Sequence, residues 1–406
     1  MNHIKIDKNS NCCGCNACRE ICPRGCVEMR QDQMGFTYPY VDVNKCVDCG
    51  LCVHTCPFIN PSAPYLPDEC YAAVNNDDEQ RLASSSGGVF VELARQTISH
   101  NGVVFGAVFT ENWDVVHAYT ETMEGVLPMM GSKYVQSNTS DTFSKAKYFL
   151  EEGKAVLYTG TPCQIAGLKH YLGKEYSRLL TVEVICHGVP APGVWQSYLK
   201  ELLVQRNGSY GEMSYAAMIK KISFRSKKRG WKIFGFNLHF LDANSAQKGL
   251  DSSCKSFYES YPDNCYMSAF LRNWSIRPSC CACKAKAGKS KADITIGDFW
   301  GIESTNIVED DDKGISCVIC RTKKGVDAIN SLENLTLTAV DYSVILQRNY
   351  IVEKSVSSSY SARCFSKLFP QKGFFKTMER VENPSILIRV IKYCRKLFRI
   401  IKQRIK

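Results

Sequence analysis

Short blocks of apolar residues, separated by polar segments, run along most of the chain after residue 68. Runs of β-branched and aromatic residues predict strands, and longer apolar patterns that begin at a capping residue or proline predict helices. The predicted strands are 103–109, 155–158, 179–185, 293–296 and 316–320. The predicted helices are 89–98, 139–152, 162–172, 257–273 and 326–332. This alternation indicates an α/β core, a mixed sheet covered by helices.

Both ends of the chain differ from this pattern. Residues 1–60 are rich in cysteine with few periodicities, and the three prolines within 61–67 predict a linker without regular structure. After Pro384, apolar residues follow one face of a helical pattern and basic residues the other. We therefore expect an α+β N-terminal domain at 1–60, a core at 68–345 and a C-terminal extension at 346–406 that ends in a basic amphipathic helix.

The 22 cysteines among 406 residues change this picture most. The first eight residues contain no apolar signal core, and no apolar stretch approaches the ~18 to 20 residues of a membrane span. We expect a cytoplasmic protein, because clustered cysteines in a reducing compartment usually bind metal rather than form disulfides.

The net charge is concentrated in the C-terminal segment. Removing the eight Lys and Arg of residues 385–406 from the total of +11 leaves about +3, so the charge does not indicate nucleic-acid binding. The basic amphipathic pattern is typical of a helix on an anionic membrane surface, and also of a helix packed on the protein's own body. We expect peripheral contact with the inner face of the membrane.

One cysteine spacing occurs twice within the first 60 residues, with separations of two, two and three residues and a proline after the fourth cysteine. This is the pattern of bacterial ferredoxins with two 4Fe-4S clusters, in which the fourth cysteine of each motif ligates the other cluster. The predicted ligands of cluster one are Cys12, Cys15, Cys18 and Cys56. The predicted ligands of cluster two are Cys46, Cys49, Cys52 and Cys22.

Zinc is the alternative for these cysteines. Zinc knuckles use pairs of cysteines two residues apart, not four in one run before a proline, so the spacing favours iron–sulfur clusters. Cys13 and Cys26 lie off the pattern and are interpreted as packing residues. His54 lies inside the second motif, where imidazole ligation is not expected if all the thiolates are present.

Four further cysteines lie in the predicted core. Cys163 and Cys186 each follow a predicted strand, the position at which sites assemble in α/β sheets, and Cys280 and Cys283 have a metal-type spacing. Four such sulfurs suit a third cubane. Two other roles stay open, because free cysteine is often buried as a core residue and because Cys163 precedes a helix whose dipole would favour a reactive thiolate.

Five segments in this order resemble the coenzyme F-420 hydrogenase/dehydrogenase beta-subunit family, over about residues 68–345. They are 84–89, 131–134, 161–164, 186–188 and 292–301. The resemblance implies a core that binds FAD, and in several members an iron–sulfur cluster, and that passes electrons between the flavin and a partner. The N-terminal dicluster segment fits the family members that carry one.

Carried over to this chain, the resemblance implies a third 4Fe-4S cluster on Cys163, Cys186, Cys280 and Cys283. Cys281 is an alternative to one of these ligands, because spacing does not separate neighbouring cysteines. Cys317 and Cys320 also lie three positions apart, but in a predicted strand residues i and i+3 point to opposite faces. We interpret that pair as packing residues.

The predicted helix at 89–98 is preceded by a run of serines and glycines: Ser84, Ser85, Ser86, Gly87 and Gly88. Backbone N–H groups at a helix start can bind an anion, which the resemblance makes a phosphate of the flavin. A serine-capped helix without any ligand fits these five residues equally well.

Further contacts to the flavin follow from the other matching segments. Lys133 is predicted to pair with the pyrophosphate or with the reduced ring, Tyr134 to stack, and Gln164 to belong to the same cofactor-binding set. His187, beside Cys186, is predicted either to donate a proton or to fill the core. Lys133 and His187 are the candidate catalytic residues.

These features favour an iron–sulfur flavoprotein oxidoreductase. In this hypothesis a ferredoxin-type donor supplies electrons, the clusters relay them to FAD, and FAD reduces a small organic acceptor that the sequence does not identify. One alternative is an electron-transfer subunit of a larger redox complex. Another is an enzyme that uses coenzyme F-420 itself.

Overall fold

The computed structural model describes residues 2–208, 214–242 and 254–383. The predicted basic helix of residues 385–406 lies outside these described residues. Among them, no helix combines the length and apolar character needed to cross a bilayer.

The N-terminal segment combines a β-hairpin with short helices. In chain order these elements are a 3-10 helix at Asn9–Asn11, α1 (Ala17–Glu20), β1 (Val27–Gln31), β2 (Thr37–Val41) and α2 (Leu51–His54). β1 and β2 pair antiparallel, a hairpin that the cysteine-rich sequence did not predict. Residues 61–67 have no regular secondary structure, as their prolines predicted.

Eleven further strands are described. They are β3 (Cys70–Asn75), β4 (Val103–Phe109), β5 (Val115–Thr120), β6 (Val156–Gly160), β7 (Leu179–Val184), β8 (Ile219–Ser226), β9 (Gly235–Leu241), β10 (Cys254–Ser260), β11 (Ile294–Asp298), β12 (Ser316–Cys320) and β13 (Leu335–Ala339). Eight of them form one mixed sheet in the order β13-β3-β12-β11-β7-β6-β4-β5. The mixed α/β core predicted from the sequence is therefore present.

The middle of this sheet is parallel. β4, β6, β7 and β11 run in one direction, and the outer strands pair antiparallel. The carboxyl ends of parallel strands meet at one edge of a sheet, where loops assemble sites. The segments after β6 and β7, which contain Cys163 and Cys186, therefore begin side by side.

Helices cover the sheet and continue the chain beyond it. They are α3 (Asp78–Ala83), α4 (Val89–Ser99), α5 (Met123–Val126), α6 (Thr142–Glu151), α7 (Pro162–Leu172), α8 (Pro192–Asn207), α9 (Tyr215–Met218), α10 (Cys265–Leu271), α11 (Lys323–Asn330), α12 (Tyr342–Arg348), α13 (Tyr360–Lys372) and α14 (Phe374–Glu382). Further 3-10 turns are Leu127–Met129, Pro278–Ala282, Ile302–Ser304 and Tyr350–Val352. The predicted strands 103–109 and 316–320 and the predicted helix 162–172 have the observed bounds.

The predicted helix at 257–273 is wrong. Its first part lies in β10, which pairs antiparallel with β9 in a separate three-stranded sheet of order β10-β9-β8. Only Cys265–Leu271 is helical, and the Asn264 side chain caps it by accepting a hydrogen bond from the Met267 N–H. Pro262 lies inside the predicted helix, where it would remove a backbone hydrogen bond, and was the signal for this break.

The N-terminal segment packs directly on the core, against the loop before α6 and against α7. The Thr139 Oγ1 donates to the Cys15 carbonyl at 3.1 Å, and the Gln136 Nε2 donates to the Cys13 carbonyl at 2.9 Å. Cys15 also lies against Gly167 of α7, where an added Cβ would approach the Cys15 sulfur to 2.9 Å. The first cysteine loop is thus held against the core.

Candidate metal centres and cofactor site

The two cysteine loops of the N-terminal segment have the same backbone course. Gly14 and Asp48 follow the first cysteine of their motifs by two residues, and both have positive φ, 71° and 53°. Asn16 and Gly50, two residues further on, also have positive φ and begin α1 and α2. These left-handed turns coil each loop tightly, which lets closely spaced cysteines converge on one side.

The four predicted ligands of cluster two surround one cavity. Cys46, Cys49 and Cys52 come from the second motif and Cys22 from the first. Cys49 is exposed to solvent. Cys26 also lines this cavity, and the four predicted ligands around one space are compatible with a 4Fe-4S cluster and with the crossed pairing that the spacing predicts.

The four predicted ligands of cluster one are also close together, and all are buried. Burial raises the pKa of Cys18 well above its ordinary value, and neighbouring Cys15, Cys12 and Cys56 raise it further. Burial likewise raises the pKa of Cys56 to about 11, with added contributions from Cys15 and Cys12. Protons on crowded thiols are favoured only while no metal is bound, and iron binding requires thiolates.

The third quartet converges from three separate segments. Burial raises the pKa of Cys186 well above its ordinary value, and Cys280, Cys163 and Cys283 all contribute to the shift. Burial alone raises the pKa of neighbouring Cys281, without a contribution from these thiols. These charge interactions favour Cys280 and Cys283 over Cys281 and are compatible with a third cluster.

Local structure explains the position of Cys163. Thr161 caps α7 together with Gln164, and the Thr161 hydroxyl lies 3.3 Å from the Cys163 sulfur. Hydrogen bonding with Cys13 lowers the pKa of Cys163 to about 7, against the effect of burial. A lowered thiol pKa suits a metal ligand and also the alternative of a reactive thiol.

Cys13 has a role that spacing did not reveal. Hydrogen bonding with Cys15 and Cys163, together with burial, raises the pKa of Cys13 well above its ordinary value. The thiol therefore lies between a ligand of cluster one and a ligand of the third quartet. Cys26 is buried beside cluster two, and its sulfur is 3.3 Å from that of Cys22.

Two buried cations lie beside the quartets, and the sequence analysis missed both. The Arg277 side chain is fully buried next to Cys12, and Lys286 is buried near Cys186 and Cys283. A lone basic residue carries no burial signal, because most arginines and lysines lie at the surface. The sequence signal for Arg277 and Lys286 was their position close to cysteine motifs.

The serine and glycine run is only partly free for an anion. The Gly87 N–H donates to the Ser316 Oγ at 2.9 Å, and Ser86 donates to the Ile315 carbonyl. The Ser84 N–H ends α3 by donating to Gln80. Ser85 pairs with Ser132, while Gly88 begins α4 without any side-chain cap. The first N–H groups of α4 are the part of this segment that fits a phosphate.

Three basic side chains lie beside this segment, of which Arg225 is buried and Lys133 and Lys227 are half-buried. The Lys133 ammonium donates to the carbonyls of Met129, Met130 and Gly131, and burial lowers its pKa to about 7. Two more were absent from the predictions. They are Lys227, which donates to the Ser86 carbonyl at 2.9 Å, and Arg225, which donates to the Ser85 carbonyl at 3.2 Å.

The charges around this segment are not balanced by carboxylates alone. Arg225 pairs with Asp298 at 2.9 Å, whereas the hydrogen bonds of Lys133 and Lys227 go to neutral carbonyls within the described ranges. Buried cations favour a bound anion. The residues present therefore fit the phosphates of a flavin, although the predicted backbone cradle is smaller than expected.

Tyr134 and Gln164, which were predicted to contact the flavin, both have partners within the protein. The Tyr134 ring lies 5.0 Å from that of Phe270 and 5.5 Å from that of Phe224, inside an aromatic core. Gln164 is buried and donates to Ser137 while capping α7. These contacts give both side chains a packing or capping role, and their contact with a flavin stays a prediction.

His187 and the paired strand cysteines were also singled out in the sequence. The His187 Nε2 lies 2.6 Å from the Asn273 Oδ1, and burial lowers its pKa. Cys317 and Cys320 are buried in different core clusters on opposite faces of β12, which agrees with their interpretation as packing residues.

Two family models match separate parts of the chain. Residues 11–60 match a 4Fe-4S dicluster domain, and residues 153–343 match the C terminus of the coenzyme F420 hydrogenase/dehydrogenase beta subunit. The first match contains both N-terminal motifs and the second contains the third quartet. The serine and glycine segment, 84–88, precedes the second match.

Curated relatives extend over different lengths. The coenzyme F420-dependent sulfite reductase of Methanocaldococcus jannaschii is 25% identical over 337 residues, 79% of this chain and 46% of that protein. The chain thus spans about half the length of this relative. An uncharacterized ferredoxin of the same organism is 39% identical over 54 residues, which cover 13% of this chain and 68% of the ferredoxin.

One solved structure is also similar. It is a chain of the F420-reducing NiFe hydrogenase complex from Methanosarcina barkeri, with 17% sequence identity and a TM-score of 0.42. The alignment covers 71% of this chain and 92% of that chain.

Proposed function

Because the chain joins a 4Fe-4S dicluster domain to the C-terminal domain of the coenzyme F420 hydrogenase/dehydrogenase beta subunit family, we propose that it is an iron–sulfur flavoprotein oxidoreductase. Its electrons come from a ferredoxin-type donor and go to a small organic acceptor. The observation that carries this proposal is the convergence of twelve cysteines into three quartets, the third adjacent to the first.

The three quartets differ in their access to solvent, and this difference suggests the order in which electrons pass through them. Cys49 of cluster two is exposed, and Val47 beside it is 60% exposed. All four cysteines of cluster one are buried, and Cys13 connects that quartet to Cys163 of the third. An external donor would therefore meet the cluster-two loop, and cluster one would lie between the outer and inner quartets.

When bound, the clusters supply one-electron transfer and FAD couples electron pairs to single electrons. The chain's own residues hold these groups and exclude water. Lys133, Arg225 and Lys227 provide positive charge for the flavin phosphates, and His187 is the candidate proton donor, with Lys133 as a second candidate.

A second candidate function is an electron-transfer subunit that docks on a larger redox complex. The exposed apolar rim of the cluster-two loop favours it, because Val43, Val47 and Leu51 are all exposed. Coenzyme F420 is a further candidate for the acceptor, since the matching relative is named for its dependence on this coenzyme. Anaerobic turnover of F420 or another small molecule by the purified chain alone would argue against the subunit hypothesis.

Iron, acid-labile sulfide and FAD content test the proposal directly. Anaerobically reconstituted protein should contain about 12 iron per chain, at four per cubane. Cys186→Ala should retain about eight iron at this stoichiometry. Cys281→Ala is the matched control, because burial alone, without a contribution from the four thiols, raises the pKa of this neighbouring cysteine, and it should retain the full iron content.

Three results would contradict parts of the proposal. Eight iron per chain in both the wild type and Cys186→Ala would show that the third cluster is absent. Loss of iron in Cys281→Ala with retention in Cys280→Ala would reverse the ligand assignment. Absence of FAD from protein with a full iron content would leave an iron–sulfur relay without the flavoprotein function.

A further inference from the structure

Arg277 lies at the junction of cluster one and the third quartet. Its side chain is 0% exposed, among the largest fully buried side chains of the described structure. The Nε donates to the Cys12 carbonyl at 2.8 Å, and the Nη2 lies 3.6 Å from the Cys12 sulfur. Its own carbonyl accepts a hydrogen bond from the Cys280 N–H at 3.0 Å. One residue therefore contacts a ligand of each centre.

The guanidinium has only neutral protein partners besides the sulfur. The Nη1 donates to the Gln136 Oε1 at 2.9 Å and the Nη2 to the Thr37 carbonyl at 2.8 Å. The rings of Tyr38 and Phe36 cover it, with centroids 4.4 and 5.2 Å away. Across residues 2–208, 214–242 and 254–383, no carboxylate forms an ion pair with Arg277.

A permanently charged group in this position needs a counter-charge. Arginine stays protonated in proteins, and a buried, unpaired charge is strongly destabilising. The nearest source of negative charge is the cluster-one quartet, whose Cys12 sulfur lies 3.6 Å from the guanidinium, and the third quartet begins three residues on at Cys280, whose N–H donates a hydrogen bond to the Arg277 carbonyl. Cluster potentials depend on net charge and on hydrogen bonds to sulfur.

We propose that Arg277 is the shared counter-charge of cluster one and the third cluster, and that it raises the reduction potentials of both relative to cluster two. Reduction adds an electron beside a fixed cation, so the reduced forms are stabilised. The inference rests on the proposed function, because it requires clusters in both quartets. Arg277 acts through the cluster ligands and is a positioning residue rather than a catalytic one.

The test is an anaerobic redox titration followed by EPR, on wild type and Arg277→Gln. At a fixed applied potential, the substitution should lower the ratio of reduced to oxidised cluster one at least about tenfold, or about 59 mV for a one-electron couple. The third cluster should shift in the same direction and cluster two should not move. Signals are assigned with Cys186→Ala and Cys49→Ala, which remove the third cluster and cluster two.

Two further variants distinguish the effect of the charge from the effect of the hydrogen bonds and from general damage to the fold. Arg277→Lys keeps the charge and should stay close to the wild-type potentials. Arg321→Gln is the matched control, a buried arginine whose hydrogen bonds go to Thr295 and the Tyr65 carbonyl, and it should move no potential. Unchanged potentials in Arg277→Gln, or equal shifts of all three clusters, would overturn the proposal.

If Arg277→Gln forms its clusters poorly, iron analysis tests the proposal instead. Loss of cluster-one iron in Arg277→Gln but not in Arg277→Lys would support the requirement for charge. Loss in both would show that the hydrogen bonds to Cys12, Gln136 and Thr37 hold the loop, which would overturn the electrostatic role. A wild type with only eight iron would instead contradict the proposed function, so the two failures are distinguishable.

Discussion

Gly167 of α7 should be essential for keeping cluster one closed against the core. A Cβ added at this position would lie 2.9 Å from both the Cβ and the sulfur of Cys15, and 3.2 Å from the Phe143 ring. Ordinary contacts begin at 3.4 Å, so Cys15 would have to retreat by about 0.5 Å. Cys15 is also held by Thr139, so this retreat is resisted.

Two effects compete in Gly167→Ala. Alanine stabilises a helix interior by about 0.5 to 1 kcal/mol relative to glycine, whereas overpacking a buried site costs typically about 1 to 3 kcal/mol. The net result should be a loss of up to about 2.5 kcal/mol, concentrated at cluster one. If iron leaves through local opening, the upper end of this range corresponds to a roughly 60-fold faster release.

The assay is capture of ferrous iron by a chelator from anaerobic protein, with EPR of the reduced clusters that remain. Cluster two is the internal control, because its loop does not contact Gly167 within the described structure. Release from cluster one should accelerate while release from cluster two stays unchanged. Slower release from cluster one, or an equal change at both clusters, would refute the steric reasoning.

Two further predictions concern cluster two and the interior. Cys22→Ser should lose about four iron, the content of one cubane. Cys26→Ala should retain this iron, although the Cys26 sulfur lies only 3.3 Å from that of Cys22. The reverse result would make Cys26 the ligand. Burial lowers the pKa of His117 from 6.5 to about 4, so its contribution to stability is present above pH 6.5 and falls by roughly 3 kcal/mol as the pH drops to 4. Acid titration of unfolding should therefore be less steep in His117→Gln than in wild type over this range, and equal slopes would contradict the buried neutral histidine.

An element was predicted correctly when its sequence signal lay within the element itself. The runs that form β4 and β12 are largely apolar, and α7 begins at Pro162 directly after the capping residue Thr161, so their bounds were predicted. The helix predicted at 257–273 failed because pairing with β9 drew residues 254–260 into a strand. Strand pairing between distant segments overrides the apolar pattern of one segment.

The flavin segment shows the same limit at a candidate site. Its serines and glycines looked like a free anion cradle in the sequence. In the structure β12 supplies the Ser316 hydroxyl, 229 residues away, to the Gly87 N–H. Arg225 and Lys227, which come from β8 and the loop after it, provide the positive charge instead.

The eight cysteines of the N-terminal motifs, and the prediction that Cys22 and Cys56 pair with the opposite loops, came from the sequence. Ligands separated by two or three residues are brought together by a single tight loop, so their spacing alone encodes the geometry. Only the tertiary structure decided that Cys163, Cys186, Cys280 and Cys283 converge, that Cys13 connects them to cluster one, and that Arg277 is buried between the two centres. These contacts join segments hundreds of residues apart, and burial of a charge depends on all the elements packed around it rather than on its neighbours in the chain.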